Sequence, residues 1–245
     1  MASPVKLYQQ EMHDNLGFFP TWLPADRIEI GDVGILEAGR FRPITSLLEL
    51  GIVGKVGTGA ATQNVQYTST QGTKIATAAG AAATALAKAE ITVDFSREGA
   101  FVFHASRLQQ QNLENRAAVG HEIVKVYKKG KWKKEWLIVE ALQTAERATI
   151  IVSEDSSAGL VLVANAEVPV ASVSLSDPKI RLTVGSMRGK IVHVIGSKGI
   201  HPLYSCLRLK DPFFGSPSVQ PVRGSAAPGD EILFSRPGIN ELIDS

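Results

Sequence analysis

The chain has 245 residues, which suits one large domain or two small ones, and its 44% hydrophobic and 20% charged residues are typical of a globular protein. The chain has 26 basic and 24 acidic residues, and so small a net charge indicates no particular class of binding partner. The single cysteine, Cys206, excludes an intrachain disulfide and is compatible with a reducing compartment. No apolar run is long enough for a transmembrane helix, and the start lacks an apolar signal core, so secretion by that route is not expected.

The first sixty residues or so predict a helix and then extended segments. Residues 5–15 favour a short helix, and the glycine and prolines that follow favour irregular backbone. In residues 27–36 apolar and polar side chains alternate, which predicts a strand. Residues 41–52 predict an extended segment that continues into a short helical turn, capped by Thr45 or Ser46 with a glutamate in the first turn.

Residues 63–104 form the most unusual stretch, because small residues fill its middle third while apolar and polar side chains alternate along it. Residues 78–89 are strong helix formers, so local propensity opposes the strand pattern there. One interpretation is an alanine-rich helix or a surface loop. The other is a hairpin that is helical or disordered in the soluble protein and becomes β only in a membrane. Its positions would be Val65, Tyr67, Ile75, Ala79, Gly80, Ile91, Val93 and Phe95.

The next segment is basic. Residues 106–126 predict a helix that buries Leu108, Leu113 and Val119. The lysines that follow predict a hairpin turn between strands at 123–127 and 136–142. A solvated loop is one interpretation, and contact with anionic lipid is the other, because tryptophan rings among cations suit the headgroup region. Nucleic acid is less favoured, since no binding motif accompanies the charge. The membrane-binding set would be Lys125, Lys128, Lys129, Lys131, Trp132, Lys133 and Lys134.

From residue 148 onward the pattern is that of successive strands, at 148–152, 160–163, 168–175, 180–184 and 191–195, with 204–209 closing the sheet. Residues 210–230 are rich in proline, glycine and serine, as linkers are. A short apolar and acidic tail occupies 231–245.

Enzyme chemistry finds little support in the sequence. The five histidines have no metal-ligand spacing, no phosphate-binding glycine motif occurs, and no nucleophile elbow is present. Cys206 lies in a strand-like segment that predicts a buried, inert thiol. We therefore expect no catalytic residue, no metal and no cofactor.

Two short segments resemble a known family. Residues 41–47, FRPITSL, resemble the F-x-P-V-x-S-L stretch of the gasdermin pore-forming domain, and residues 137–144, LIVEALQT, resemble its V-V-x-E-V-L-Q-T strand. The order of the predicted parts also agrees, over about residues 17–209. The length fits a bacterial gasdermin, although the acylated cysteine that bacterial members often carry near the start has no counterpart in residues 1–15.

The resemblance implies an α+β fold with a bent, mostly antiparallel β-sheet and peripheral helices. Residues 1–222 would be the pore-forming domain, and 223–245 a linker and inhibitory tail. Residues 62–97 and about 148–175 would become membrane-spanning hairpins. A protease would cut near Arg223 and Gly224 and release the tail. The tail residues expected to hold the domain inactive are Ile232, Leu233, Phe234, Ile239, Leu242 and Ile243.

The expected activity follows from the same resemblance. The protein would be cytoplasmic while inactive. After cleavage it would bind anionic lipid of the inner membrane, assemble into a large homo-oligomeric β-barrel pore and kill the cell in defence against phage. The alternative is a non-enzymatic β-rich binding or assembly protein, in which residues 63–90 are simply a loop.

Overall fold

The computed structural model describes residues 3–21, 28–37, 40–60, 63–79, 89–165, 175, 180–209 and 234–235. Within them the chain has an α+β fold, dominated by antiparallel strands with two helices. It divides into two compact units, and each is built from separate stretches of chain. The first unit comprises Met1–Leu16, Ala61–Gln109 and Thr144–Pro202. The second unit comprises Gly17–Ala60, Gln110–Gln143 and Leu203–Ser245.

The elements, in chain order, are α1 (Pro4–Leu16), β1 (Phe19–Pro20), β2 (Asp32–Glu37), β3 (Arg40–Ser46), β4 (Val56–Thr58), β5 (Gln63–Thr68), β6 (Thr73–Ala79), β7 (Ala89–Phe95), β8 (Phe101–Leu113), α2 (Arg116–Lys128), β9 (Leu137–Ser153), β10 (Ala158–Asn165), β11 (Arg181–Arg188), β12 (Ile191–Leu209) and β13 (Phe234–Ser235). The long strands β8, β9 and β12 each have residues in both units.

In the second unit the strand order is β1-β12-β9-β2-β3, and β4 pairs with the end of β8. On one face of these strands Val33, Ile138 and Leu207 pack with the inward face of α2, where Val119 and Ile123 are buried. Leu137 and Val139, which alternate with Ile138 on β9, belong to a second apolar core with Tyr204 and Cys206. Between β3 and the following turn, Ser46 and Glu49 form the predicted capping box. The Glu49 N–H donates to Ser46 Oγ at 3.2 Å, and the Ser46 N–H donates to Glu49 Oε2 at 3.2 Å.

In the first unit a four-stranded antiparallel sheet has the order β11-β10-β7-β6. It consists of two hairpin pairs, β6 with β7 and β10 with β11, which meet where β7 pairs with β10. Strand β5 pairs instead with β8. The apolar core of this unit lies against one face of the four-stranded sheet and includes Val102, Ile151 and Ile180.

Several sequence predictions are confirmed. Residues 5–15 lie in α1, and the predicted strand at 27–36 is β2 in its second half. The strands predicted at 148–152 and 160–163 lie in β9 and β10, and those predicted at 136–142 and 180–184 lie in β9 and β11 except for their first residues. The closing strand at 204–209 is the end of β12. The interval 168–174 lies outside the described residues.

Two predictions near the middle of the chain are wrong. Residues 106–113 are strand, as part of β8, because pairing with β4 and β5 supplies partners that outweigh the helix propensity of a Leu- and Gln-rich segment. Residues 123–127 are helix, as part of α2, so the basic turn joins a helix to a strand and is not a hairpin turn.

The predicted state of residues 63–104 is also wrong over its described part. Residues 63–68, 73–79, 89–95 and 101–104 already lie in strands β5, β6, β7 and β8, so the segment is not held as a helix or a disordered loop. The alternation of side chains decides the conformation here, because each strand finds a partner that buries its apolar face. Gly80 and the residues up to 88 lie outside the described part.

Candidate functional site

The four-stranded sheet of the first unit is strongly amphipathic. Its register aligns one apolar row across all four strands, Met187 beside Leu160, Leu160 beside Val93, and Val93 beside Ile75. The adjacent row on the same face is Val184, Leu162, Ile91 and Thr77. Because strand side chains alternate, a single face of the sheet collects these residues.

The opposite face carries the polar side chains. One row there contains Arg188, Gly159, Asp94 and Lys74, and Arg188 Nη2 lies 3.5 Å from Asp94 Oδ1. A second row contains Thr183, Val163, Glu90 and Ala78. Arg188, Lys74 and Glu90 are exposed and Asp94 is partly exposed. On β6, β7 and β11 the charged side chains therefore lie opposite the apolar rows, whereas β10 carries Gly159, Val161 and Val163 on this face.

The apolar face extends beyond the core that covers it. Its central residues on β7 and β10 are buried, but on the outer strands Ile75 is 38%, Val184 is 42% and Met187 is 52% exposed. Among the described strands, β6 and β11 each pair on one side only. Both outer strands therefore present an exposed apolar margin and a row of backbone groups available to a further strand.

Residues 62–97, predicted as the first hairpin, contribute β6 and β7 to this sheet, and Phe95 lies on the buried face with Ile91 and Val93. Val65 and Tyr67 lie apart from them, on β5. The second segment predicted to span the membrane, about residues 148–175, contains the end of β9 and the whole of β10. Residues 148–153 belong to β9, and the pair that enters the sheet is β10 with β11.

The basic segment extends over the last turns of α2 and the turn that follows. All six lysines are exposed, and Lys125 Nζ lies 2.7 Å from Glu122 Oε1. Lysines at the end of a helix are stabilised by its macrodipole. Exposed cations therefore lie close together in sequence, at the end of α2 and in the turn that follows it.

Trp132 differs from its predicted role at a lipid surface, because its side chain is only 3% exposed. It packs edge-to-face with Trp136 at a centroid distance of 5.3 Å, within the apolar core that includes Val119 and Ile123. The aromatic residues that suggested a membrane surface thus pack beneath the turn. The exposed residues of the turn are Lys129, Gly130, Lys131, Lys133, Lys134 and Glu135.

The predicted inhibitory tail is described at two residues. Phe234 pairs with Leu209 and Ser235 with Arg208, so β13 continues the sheet of the second unit beside the end of β12. Ile232, Leu233, Ile239, Leu242 and Ile243 lie outside the described residues, as do Arg223 and Gly224.

Sequence reasoning missed Glu140, the acidic residue of the LIVEALQT segment. Its side chain is fully buried, with Arg116 Nε at 3.0 Å from Oε2 and Ser205 Oγ donating to Oε1 at 3.0 Å. A glutamate within an otherwise apolar strand is the signal that identifies such a residue, since a buried charge needs a partner. Burial and the nearby Glu140 charge raise the pKa of the Cys206 thiol, which disfavours the thiolate.

Neither metal chemistry nor a helical membrane span is evident in the described part of the chain. Its His, Cys, Asp and Glu side chains form no group of three or more that could hold a metal ion. None of its helices is long and apolar enough to cross a membrane. A scan against protein-family models and a search of curated proteins found no match.

Proposed function

We propose that this protein is an autoinhibited pore-former. After removal of its C-terminal tail it binds anionic membrane and assembles with copies of itself into a β-barrel pore. The observation that supports this proposal most is the amphipathic four-stranded sheet, with apolar residues on one face, charged residues on the other and an outer strand available on each side. The two gasdermin-like segments of the sequence favour the same function.

Strand direction is compatible with a closed ring of copies. Each neighbouring pair in the order β11-β10-β7-β6 is antiparallel, so β11 and β6 run in opposite directions. The β11 strand of one copy beside the β6 strand of the next copy therefore continues the antiparallel pattern. A head-to-tail contact of this kind generates a ring when its rotation closes. Closure pairs every outer strand, as a membrane requires.

Strand length requires a change of structure on insertion. Strands β6, β7, β10 and β11 have 7 or 8 residues, whereas a tilted strand needs about 9–11 to cross a bilayer. The sequence alternation continues through residues 81–85, where Ala81, Ala83 and Ala85 have the same parity as Ile75. We propose that the hairpins lengthen through such positions while the apolar face leaves its core and meets lipid.

The remaining parts have roles within the same proposal. The exposed lysines of the basic segment attract anionic headgroups. The tail, of which β13 is part, restrains the domain until a protease cuts near Arg223 and Gly224, as in switches where proteolysis frees a held element. The cytoplasmic protein would then act at the inner membrane, and death of the infected cell would protect its neighbours from phage.

Dye release from vesicles tests this function. A protein that ends at Arg223 should release dye from anionic vesicles, whereas the full chain and the truncated protein on neutral vesicles should not. Circular dichroism of the truncated protein establishes that it is folded. A folded, vesicle-bound and truncated protein that releases no dye would exclude pore formation.

A binding or assembly protein is the second candidate, and an exposed aliphatic cluster favours it. Ile44, Leu48, Val53 and Val56 of the second unit are all more than half exposed. Scattered exposed aliphatics are normal, but several in one short segment indicate a contact surface. Under this function the truncated protein forms ordered assemblies in solution, detectable by light scattering, and leaves vesicles intact.

A further inference from the structure

Strands β5 to β8 form one two-stranded ribbon with a bend in it. Strand β5 pairs with β8, as at Gln66 and His104, and β6 pairs with β7, as at Ile75 and Val93. The ribbon stays hydrogen-bonded through the bend, because the Ser69 N–H donates to the Phe101 carbonyl at 3.0 Å. The bend therefore lies between two halves of a single long hairpin.

Glycines permit the chain to turn at this point. Gly72 has φ of +82° and Gly99 has φ of +71°, conformations that other residues adopt at a cost in free energy. The Ser96 N–H donates to the Gly72 carbonyl at 2.9 Å, which links the two strands within the bend itself. Replacement of the two bent connections by extended chain would join the halves into one hairpin across residues 63–108. That hairpin would contain a two-residue bulge, because six residues separate Phe95 from Val102 and four separate Thr68 from Thr73.

Helix α1 lies directly on this bend. Tyr8 and Met12 are buried, and the Tyr8 ring meets the Phe101 ring edge-on at a centroid distance of 4.8 Å. The Leu7 side chain packs against Gly99, where a Cβ atom would lie 2.7 Å from Leu7 Cβ. The apolar side of the helix is thus fitted to the bent form of the ribbon.

One carboxylate of α1 binds both strands of the bend. On the strand side that leads into β6, Glu11 Oε1 accepts hydrogen bonds from the Thr70 N–H and, at 2.7 Å, from Thr70 Oγ1. On the other side, Arg97 Nη2 donates to Glu11 Oε2 at 2.8 Å. Arg97 Nε also donates to the Gln71 carbonyl at 2.9 Å, so the two connections are tied to each other as well as to the helix.

We propose that α1 is a clasp, in which Glu11 holds the ribbon bent and must release Thr70 and Arg97 before the ribbon can straighten. The inference rests on the proposed pore function, since straightening is what would lengthen the first hairpin for insertion. Thr70 and Arg97 lie on the two different connections, and straightening changes the path of both. Glu11 cannot keep its hydrogen bonds to Thr70 and Arg97 while both connections move, so these bonds must break before the ribbon straightens.

The charges around Glu11 agree with this role. Burial raises the pKa of Glu11, but hydrogen bonds from Thr70 and Arg97 together with the Arg97 charge outweigh it and lower the pKa below its ordinary value. Glu11 is therefore an anion in the clasped form. Glu11, Thr70 and Arg97 line an open pocket, and Gln10, Asp14 and Asn15 of α1 line the same pocket.

Hydrogen exchange in the absence of membrane tests the clasp directly. In the full chain, Glu11→Ala removes all the hydrogen bonds to the carboxylate, and we expect the Thr70 and Ser69 amides to exchange about fivefold faster. Glu11→Gln, which keeps the side-chain shape, should show a smaller increase and serves if the alanine variant does not fold. The matched control is Glu146→Ala, because Glu146 forms an ion pair with Arg107 at 3.0 Å in the same unit. Unchanged exchange at Thr70 in both Glu11 variants would overturn the clasp.

Dye release by the tail-free protein gives the second measurement. Glu11→Ala should release dye faster than the unsubstituted protein, and Glu146→Ala should release it at the same rate. Faster exchange with an unaltered release rate would overturn the clasp as the controlling step. If no protein releases dye, the pore function fails by itself, and faster exchange at Thr70 still supports the clasp as the contact that keeps the ribbon bent.

Discussion

At the scale of single residues, His104 makes the fold sensitive to acid. It lies on β8, its Nδ1 is buried and makes no hydrogen bond within the described part of the chain, and burial lowers its pKa to about 4. The folded protein therefore favours the neutral ring. In the unfolded chain His104 binds a proton near the ordinary histidine pKa of 6.5. Its contribution to the free energy of unfolding is therefore fully present above that pH and is lost as the pH decreases towards about 4.

We expect His104→Gln to remove this acid sensitivity, since glutamine does not titrate. Urea unfolding across the same pH range measures it, and the difference in unfolding free energy between the acid and neutral ends should shrink by at most about 3 kcal/mol. An identical pH profile for His104→Gln and the unsubstituted protein would contradict the prediction.

The Arg116–Glu140 pair gives a second residue-scale prediction, which depends on unequal burial. Glu140 is fully buried while the Arg116 side chain is 40% exposed. Arg116→Ala leaves a buried carboxylate without its ion pair and should destabilise the fold by about 3 kcal/mol. Glu140→Gln removes the buried charge, leaves a cation that can reach water, and should cost less. Urea midpoints of the two variants decide the order, and a larger loss for Glu140→Gln would refute it.

At the scale of elements, the two faces of β11 predict opposite effects of the same substitution. Met187 lies in the apolar row, and its neighbour Ser186 lies on the polar face. Both are exposed in the present structure, so a lysine at either position should leave folding intact. In a barrel, Met187 would face lipid, where a lysine costs about 2–4 kcal/mol at the bilayer midplane, and Ser186 would face water.

Dye release by tail-free Met187→Lys and Ser186→Lys proteins measures this difference. We expect Met187→Lys to lose most of its release activity and Ser186→Lys to keep it. Equal activity of the two variants would show that the apolar face of β11 does not enter lipid. That result would concern β11 alone and not the other three strands of the sheet.

The same elements show how far the sequence could predict the structure. Period-two alternation correctly grouped Ile75, Ile91, Val93 and Phe95 on one face, because alternation is a property of the strand itself. Their state in the isolated protein could not be predicted, since helix propensity and strand pattern conflicted and only distant partners, β8 and β10, decide between them. The helix predicted over residues 106–126 is wrong over 106–113 for the same reason. The Trp132 side chain was misplaced because an amphipathic ring beside lysines is compatible with a surface or with a core.

At the scale of the whole molecule, membrane binding should depend on where cations lie and not on net charge. The formal net charge is only +2, so the protein as a whole attracts an anionic surface weakly. Lys129, Lys131 and Lys133, by contrast, are exposed within one short turn. Each lysine near an anionic surface contributes about 1 kcal/mol, and the contribution is screened by salt.

Charge reversal at two different places separates these contributions. Lys129, Lys131 and Lys133 changed together to glutamate should weaken binding of the tail-free protein to anionic vesicles by at least about 100-fold, since three contributions of about 1 kcal/mol are lost. The matched control changes the exposed Lys55, Lys190 and Lys198 to glutamate, which alters net charge by the same amount. Vesicle co-sedimentation at low and high salt gives both affinities. The triple variant should still fold, because the three turn lysines lie outside the core while Trp132 packs inside it. Equal weakening of vesicle binding by the two triple variants would show that binding depends on net charge and not on the basic turn.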